Sequence, residues 1–232
     1  MKPPRWAELL NAVGVESRNV ANDFGVGICR VAAHNLDGRD AALSMLSGDG
    51  FTVIASTGRR ATVVEEQQFT LGEGPSFAAC HGELPILVPD FTVRRSPEWA
   101  SVSSFALGVG ISGAFSFPVR VGNARLGSLT IYRQIRGNLT AQQYADGLIL
   151  ASLAADEMLR LAADADPEAP PFAVAGLANS SEMHQAAGMV AEQLNCSIID
   201  ALIRLRATAH TRDEPLSDVA KKVLRHELRI EP

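Results

Sequence analysis

Long apolar runs are missing from this sequence. No stretch of 18 apolar residues occurs, so no segment reads as a membrane-spanning helix, and no membrane contact is expected. The N-terminus MKPPRWAELL lacks the extended apolar core and the cleavage site of a secretory leader. Cysteine is sparse and odd in number. Cys29, Cys80 and Cys196 stand far apart and none forms a CxxC pair. That excludes a disulfide framework and offers no zinc spacing. The three thiols read as small buried hydrophobes of a reducing compartment, and the expected location is the cytoplasm. Positive charge is not in excess either. With 21 Lys and Arg against 26 Asp and Glu, the formal net charge is -5. The chain is therefore not a generically basic nucleic-acid binder, and any such contact must rest on a local patch.

What is present is enough apolar material for a sizeable core: 47% of the 232 residues are hydrophobic and 20% are charged. The length fits one large domain, or a large one with a small one. The stretch ADADPEAPPFAVAG, residues 163–176, holds three of the twelve prolines and has no usable helical period. It reads as a linker. The expected division is residues 1–163, a linker over 164–179, and a second unit over 180–232.

The first unit mixes strand and helix signals. Val20, Phe24, Ile28 and Val31 have the spacing of one helix face, which predicts a helix over 17–35. AALSMLSGDGFTVIASTG predicts a β-hairpin turning at Asp49-Gly50. LPILVPD predicts a short buried strand, PEWASVSSFALGVG a helix ending at glycine, and GAFSFPVRVGNARLGSLTIYR a second hairpin turning near Gly122-Asn123. Thr140 is a candidate N-cap for a helix over 140–162. In that helix Ala141, Tyr144, Leu148, Ala151, Ala155, Met158 and Ala162 trace a heptad seam, and Ile149 and Leu153 mark a second stripe. Either one stripe meets a second copy of the chain, or both are buried within one subunit. The plan is α+β: an antiparallel sheet flanked by helices.

The second unit shows helical period only. Met183, Ala187, Val190 and Leu194 share one face; Ile198, Ala201, Leu202, Leu205 and Ala209 a second; Leu216, Val219, Ala220, Val223 and Leu224 a third. Ser197 with Asp200 forms a capping-box variant, and Pro215 falls in a first turn. Helices this short must pack together to persist in water. Ala186, Ala187 and Gly188 are expected to let a neighbouring helix approach closely. Arg204 and Arg206 lie off the second apolar face, and Lys221, Lys222, Arg225 and Arg229 gather on the third helix. From residue 180 onward, seven Lys and Arg face eight Asp and Glu. The late cations are either a phosphate-contacting patch or an ordinary solvated helix face.

The order and spacing of HQAAGMVAEQLNCSIIDALIRLRATAHTRDEPLSDVAKKVL resemble the ANTAR domain of bacterial transcription antitermination regulators. The matching elements are Ala186 and Gly188, the Ala201–Leu205 core, and LSDVA over 216–220. The first unit is similar to GAF sensor domains of the actinobacterial type that is fused to ANTAR. LGEGPSFAA, VPDF, the second hairpin and LTAQQYADGL carry that likeness. The implied fold is a GAF-like α+β domain followed by a small all-α three-helix ANTAR-like domain. The implied function is a sensor that takes a small-molecule signal or mediates homodimer contacts, joined to helices that bind hairpins of a nascent mRNA leader. Neither catalysis nor a cofactor is implied. This sequence departs from the pattern in two places. It has Ala187 where many ANTAR domains carry lysine, and Ser76 where relatives often have cysteine.

The candidate RNA-binding residues are His184, Gln185, Arg204, Arg206, Lys221, Lys222 and Arg225, with cations on phosphates and polar side chains on unstacked loop bases. His184 and Gln185 read equally well as surface residues without a role. The alternative for the whole unit is a head that binds a protein partner instead of RNA. Cys80-His81 lacks a third orienting group, Glu65-Glu66 and Asp90 read as capping or solvated carboxylates, and His34, His210 and His226 show no metal spacing.

Overall fold

The computed structural model describes residues 3–21, 23–47, 50–93, 99–164, 178–212, 214 and 216–230. The chain starts with two helices, α1 (Arg5–Arg18) and α2 (Phe24–Asn35). The single helix expected over 17–35 is therefore split. Ala21 takes a left-handed φ of 54°, and Asp23 then caps a new helix by accepting from the Val26 amide at 2.9 Å. The first hairpin is β1 (Asp40–Ser47) and β2 (Gly50–Ser56). Gly50 pairs with Ser47 and belongs to the strand, which corrects the expected turn at Asp49-Gly50; Asp49 lies outside the described residues.

Two helices without an expected counterpart follow, α3 (Arg59–Leu71) and α4 (Pro75–His81). Then come β3 (Ile86–Val88), α5 (Ala100–Gly108), β4 (Gly113–Val121) and β5 (Ala124–Arg133). The sheet order is β2-β1-β5-β4-β3, antiparallel throughout. The β4–β5 turn falls at Gly122-Asn123 as expected, between the paired Val121 and Ala124. The strand expected to be buried over 84–90 is instead an edge strand with Leu87 44% exposed, because it pairs on one side only.

Alternation along the strands gives the sheet two unlike faces. Leu43, Phe115, Phe117, Leu129 and Ile131 point one way and join α1, α2 and α6 (Ala141–Asp164) in the main core. Their neighbours Ser44, Ser116, Ser128, Thr130 and Tyr132 point toward α3 and α4 and are fully buried there. α6 is capped by Thr140, whose hydroxyl accepts from the Gln143 amide at 3.1 Å while Gln143 accepts from the Thr140 amide at 3.0 Å. It lies close on the sheet at Gly147, where a Cβ would stand 2.2 Å from the Phe117 ring. Arg5 of α1 holds the buried Asp146 of α6. Burial pushes that carboxyl up, but hydrogen bonds from Arg5 and Gln142 outweigh it and keep the pKa below the usual range.

The heptad seam expected on α6 runs partly into the core and partly onto the surface. Its residues straddle one flank of a single buried face centred on Leu150 and Ala154, and Ile149 and Leu153 form the other flank. A strict seven-residue repeat drifts around a straight helix, so Ala151, Ala155 and Met158 are buried while Ala141, Leu148 and Ala162 are exposed.

The last helices are α7 (Ala178–Leu194), α8 (Ile198–Arg212) and α9 (Leu216–Leu224). Residues 165–177, most of the expected linker, lie outside the described residues, as does Pro215. The three helices share their own apolar core, built on Met183, Val190, Ala201, Leu205, Val219 and Val223. Ile198, expected in that core, is 56% exposed at the first position of α8. Ser197 caps α8, accepting from the Asp200 amide at 3.1 Å. The close approach expected at Gly188 does not occur. A Cβ there would meet nothing within 4 Å, while Ala186 and Ala187 are fully buried.

Candidate nucleic-acid interface and the polar core

Within the three-helix head, the apolar faces turn inward and the expected site residues sit around the outside. Gln185 is exposed on α7, across from the buried Ala186–Ala187 face. The His184 side chain lies outside the described residues. Arg204 and Arg206 are both half-buried on α8. Two residues apart on a helix, they leave from opposite flanks and cannot form one cluster.

On α9, Lys222 donates to Glu214 at 2.8 Å and holds that carboxyl below its ordinary range. Lys221 Nζ lies 3.9 Å from Glu182 of α7. Arg225 follows α9 and is exposed. The cations thus ring the head rather than making one patch. Ala187 sits in the core, so a lysine at that position would have to carry its charge out of an apolar interior.

One residue of the first unit, unnoticed in the sequence, meets this ring. Phe69 of α3 packs against the head's core, and the Arg206 guanidinium carbon lies 5.4 Å from the centre of its ring. Glu66, one turn earlier, faces α9. Burial raises its pKa, Asp218 raises it further, and Lys221 lowers it.

The inner side of the same helix carries the buried polar cluster. Glu65 is fully buried and accepts from Ser76 at 2.7 Å, from Tyr132 at 2.8 Å and from Ser44 at 3.2 Å. Gln68 donates to the Tyr132 hydroxyl at 2.8 Å and accepts from the Ser76 amide at 2.8 Å. The hydroxyls of Ser76 and Thr130 are 2.7 Å apart, and Thr130 continues to Ser116 at 2.9 Å. The chain of partners thus crosses from α3 through α4 to β5 and β4. Burial pushes the Glu65 carboxyl up to about 7, against hydrogen bonds that lower it. Burial and the neighbouring Glu65 push the Tyr132 phenol well above its usual range.

Glu65 is therefore neither a helix cap nor a solvated carboxylate, contrary to expectation, while Glu66 is exposed. Helical spacing missed α3 because Glu65 and Gln68 fill core positions where an apolar residue was sought. The usable signal was the alternation in GAFSF and GSLTIY, which sets serine and threonine on one face of each strand.

The remaining candidates have separate partners. Cys80 donates to Ser128 at 3.3 Å, and burial raises its thiol to about 12. His81 bonds the Phe77 carbonyl at 2.8 Å and stacks on the Phe77 ring. Asp90 accepts from the Thr92 amide at 2.8 Å, closing a loop turn. His34 is exposed on α2 and His226 follows α9 with a φ of 58°, while the His210 side chain lies outside the described residues. Among the described residues no group of three or more His, Cys, Asp and Glu could hold a metal ion. No described helix is long and apolar enough to cross a membrane. A cleft of about 550 Å³ opens beside α1 and α2, lined by Val15, Arg30, His34 and Arg39 among others.

No family model and no curated protein matches the chain. Solved structures do. The GAF domain of an Acinetobacter phosphoenolpyruvate-protein phosphotransferase is similar over 72% of this chain and 100% of its own, at 12% identity and a TM-score of 0.54. The GAF domain of the Coxiella burnetii phosphoenolpyruvate-protein phosphotransferase (ptsP) is similar over 69% of this chain and 98% of its own, at 15% identity and a TM-score of 0.50. The first unit has the GAF fold. At these identities the likeness is one of fold alone.

Proposed function

We propose that this chain is a cytoplasmic RNA-binding transcription antitermination regulator. In this reading the GAF-fold unit takes a signal and the three C-terminal helices bind hairpins of a nascent mRNA leader. The observation that carries the reading is the head itself. Its apolar core is closed among α7, α8 and α9, leaving Gln185, Arg204, Arg206, Lys221, Lys222 and Arg225 outside that core. The order and spacing of its motifs support the same reading. Contact would be electrostatic first, with cations on phosphates, and specific through polar side chains on loop bases. The reading includes no catalysis and no cofactor. A small polar molecule suits the cleft, where Arg30 pairs with Glu16 at 3.2 Å beside His34 and Arg39.

The working form is a homodimer. α1 leaves Trp6 and Leu10 exposed, α6 leaves Leu148 and Leu159 exposed, and Arg5–Asp146 ties the two helices together. Sedimentation of Leu148→Glu should give a monomer where the parent gives a dimer. A parent that sediments as a monomer at micromolar concentration removes this part.

A second reading, a head that binds protein, is favoured by Ile198 and Ile203, which α8 leaves more than half exposed. Crosslinking in cells followed by sequencing separates the two. RNA-binding predicts leader transcripts with paired small loops. A library without reproducible RNA, beside a reproducible protein partner, favours the second reading.

A further inference from the structure

The helix α3 faces two ways. Its inner side holds Glu65 and Gln68 in the buried polar cluster, while Phe69 packs against the head's core. That contact engages Arg206, a candidate for phosphate contact, whose guanidinium carbon lies 5.4 Å from the ring centre. A guanidinium over an aromatic ring is held from its open face.

We infer that α3 is a latch: through Phe69 it docks the three-helix head on the GAF-fold unit, occupies Arg206, and so holds the head in an RNA-closed arrangement. The inference rests on the RNA-binding reading and adds its regulation. It also gives the polar cluster a purpose. Glu65, Gln68, Ser76 and Tyr132 are joined by direct hydrogen bonds, so a displacement of any one is felt along α3. A signal that rearranges the core beneath α3 thereby reaches the helix that holds the head. The device is a two-state docking equilibrium, and a signal moves it only by favouring one state.

The test uses the full chain and two variants. Phe69→Ala and Phe69→Leu leave every charge in place and remove the ring beneath Arg206, and Phe69→Leu keeps an apolar side chain against the head's core. Small-angle scattering reads release of the head without RNA. A two-loop hairpin RNA, titrated over a range of salt, reads affinity. Both variants are expected to show a larger radius of gyration and binding tighter by on the order of tenfold. Freeing one cation should also steepen the salt slope by about 0.7–0.9.

Release without tighter binding overturns the inference, as does an unchanged radius in both variants. If Phe69→Ala fails to fold, Phe69→Leu decides by the same two readouts. If neither parent nor variants bind RNA at low salt, the RNA reading itself falls and takes the latch with it. That outcome is distinguished from the others because release is measured independently of RNA.

Discussion

The two units differ in what their interiors are made of. The head's core is apolar: Met183, Val190, Leu205, Val219 and Val223 pack together. Among the described residues every polar residue that is buried as a whole lies in the first unit, and the densest group sits between α3, α4 and the sheet. An apolar core has a shape and little else to change, which suits a unit that must present side chains in fixed positions. A hydrogen-bonded polar core carries higher stakes, because a partly satisfied network is costly. In the proposed reading the head presents side chains and the first unit responds.

The two helical glycines give the sharpest way to break that comparison. Gly147 lets α6 approach Phe117, and its Cβ would stand 2.2 Å from the ring. Gly147→Leu should therefore destabilise the chain by more than about 3 kcal/mol, or prevent folding, as thermal denaturation would show. Retained stability would mean that α6 can move off the sheet.

Next in size is the effect of Glu65. Its carboxyl is raised from 4.5 to about 7 in the folded chain. Between those values the folded state keeps a proton that the unfolded state has released. The contribution of this group to stability should be full below pH 4.5, fall as pH rises, and level off above about 7. The loss from this group is on the order of 3 kcal/mol. Denaturant midpoints across that range should fall for the parent and flatten for Glu65→Gln. A parent with no slope there would mean that Glu65 is not buried beneath α3.

The smallest effect is at Gly188, where the head has open space. Gly188→Ala should raise stability by up to about 1 kcal/mol, through helix propensity alone. A loss would restore the close helix approach that the sequence suggested.

Strands were legible because alternation is local. GAFSFPV and GSLTIY each announce a two-faced strand, and the β4–β5 turn followed from Gly122-Asn123. The three-helix head was legible because its faces are uniformly apolar, so period alone places them. α3 was not, since its core positions carry Glu65 and Gln68, whose burial depends on Ser44, Ser76 and Tyr132 from distant parts of the chain. The two α6 stripes were visible, but not that they flank a single buried face, because a face is defined by what packs on it and Leu150 and Ala154 lie between them. The candidate site was legible as residue types. Its arrangement was not: the i, i+2 placement of Arg204 and Arg206 and the α3 contact emerge only in three dimensions.

The central claim is that the head binds RNA through its cations. Titration of the purified full chain with a two-loop hairpin RNA, from about 50 to 200 mM salt, tests it most directly. The account predicts saturable binding whose log affinity falls linearly with log salt, with a shallower slope in a variant carrying Arg204→Gln, Lys221→Gln and Lys222→Gln. Binding of the triple variant equal to the parent at every salt concentration would contradict it.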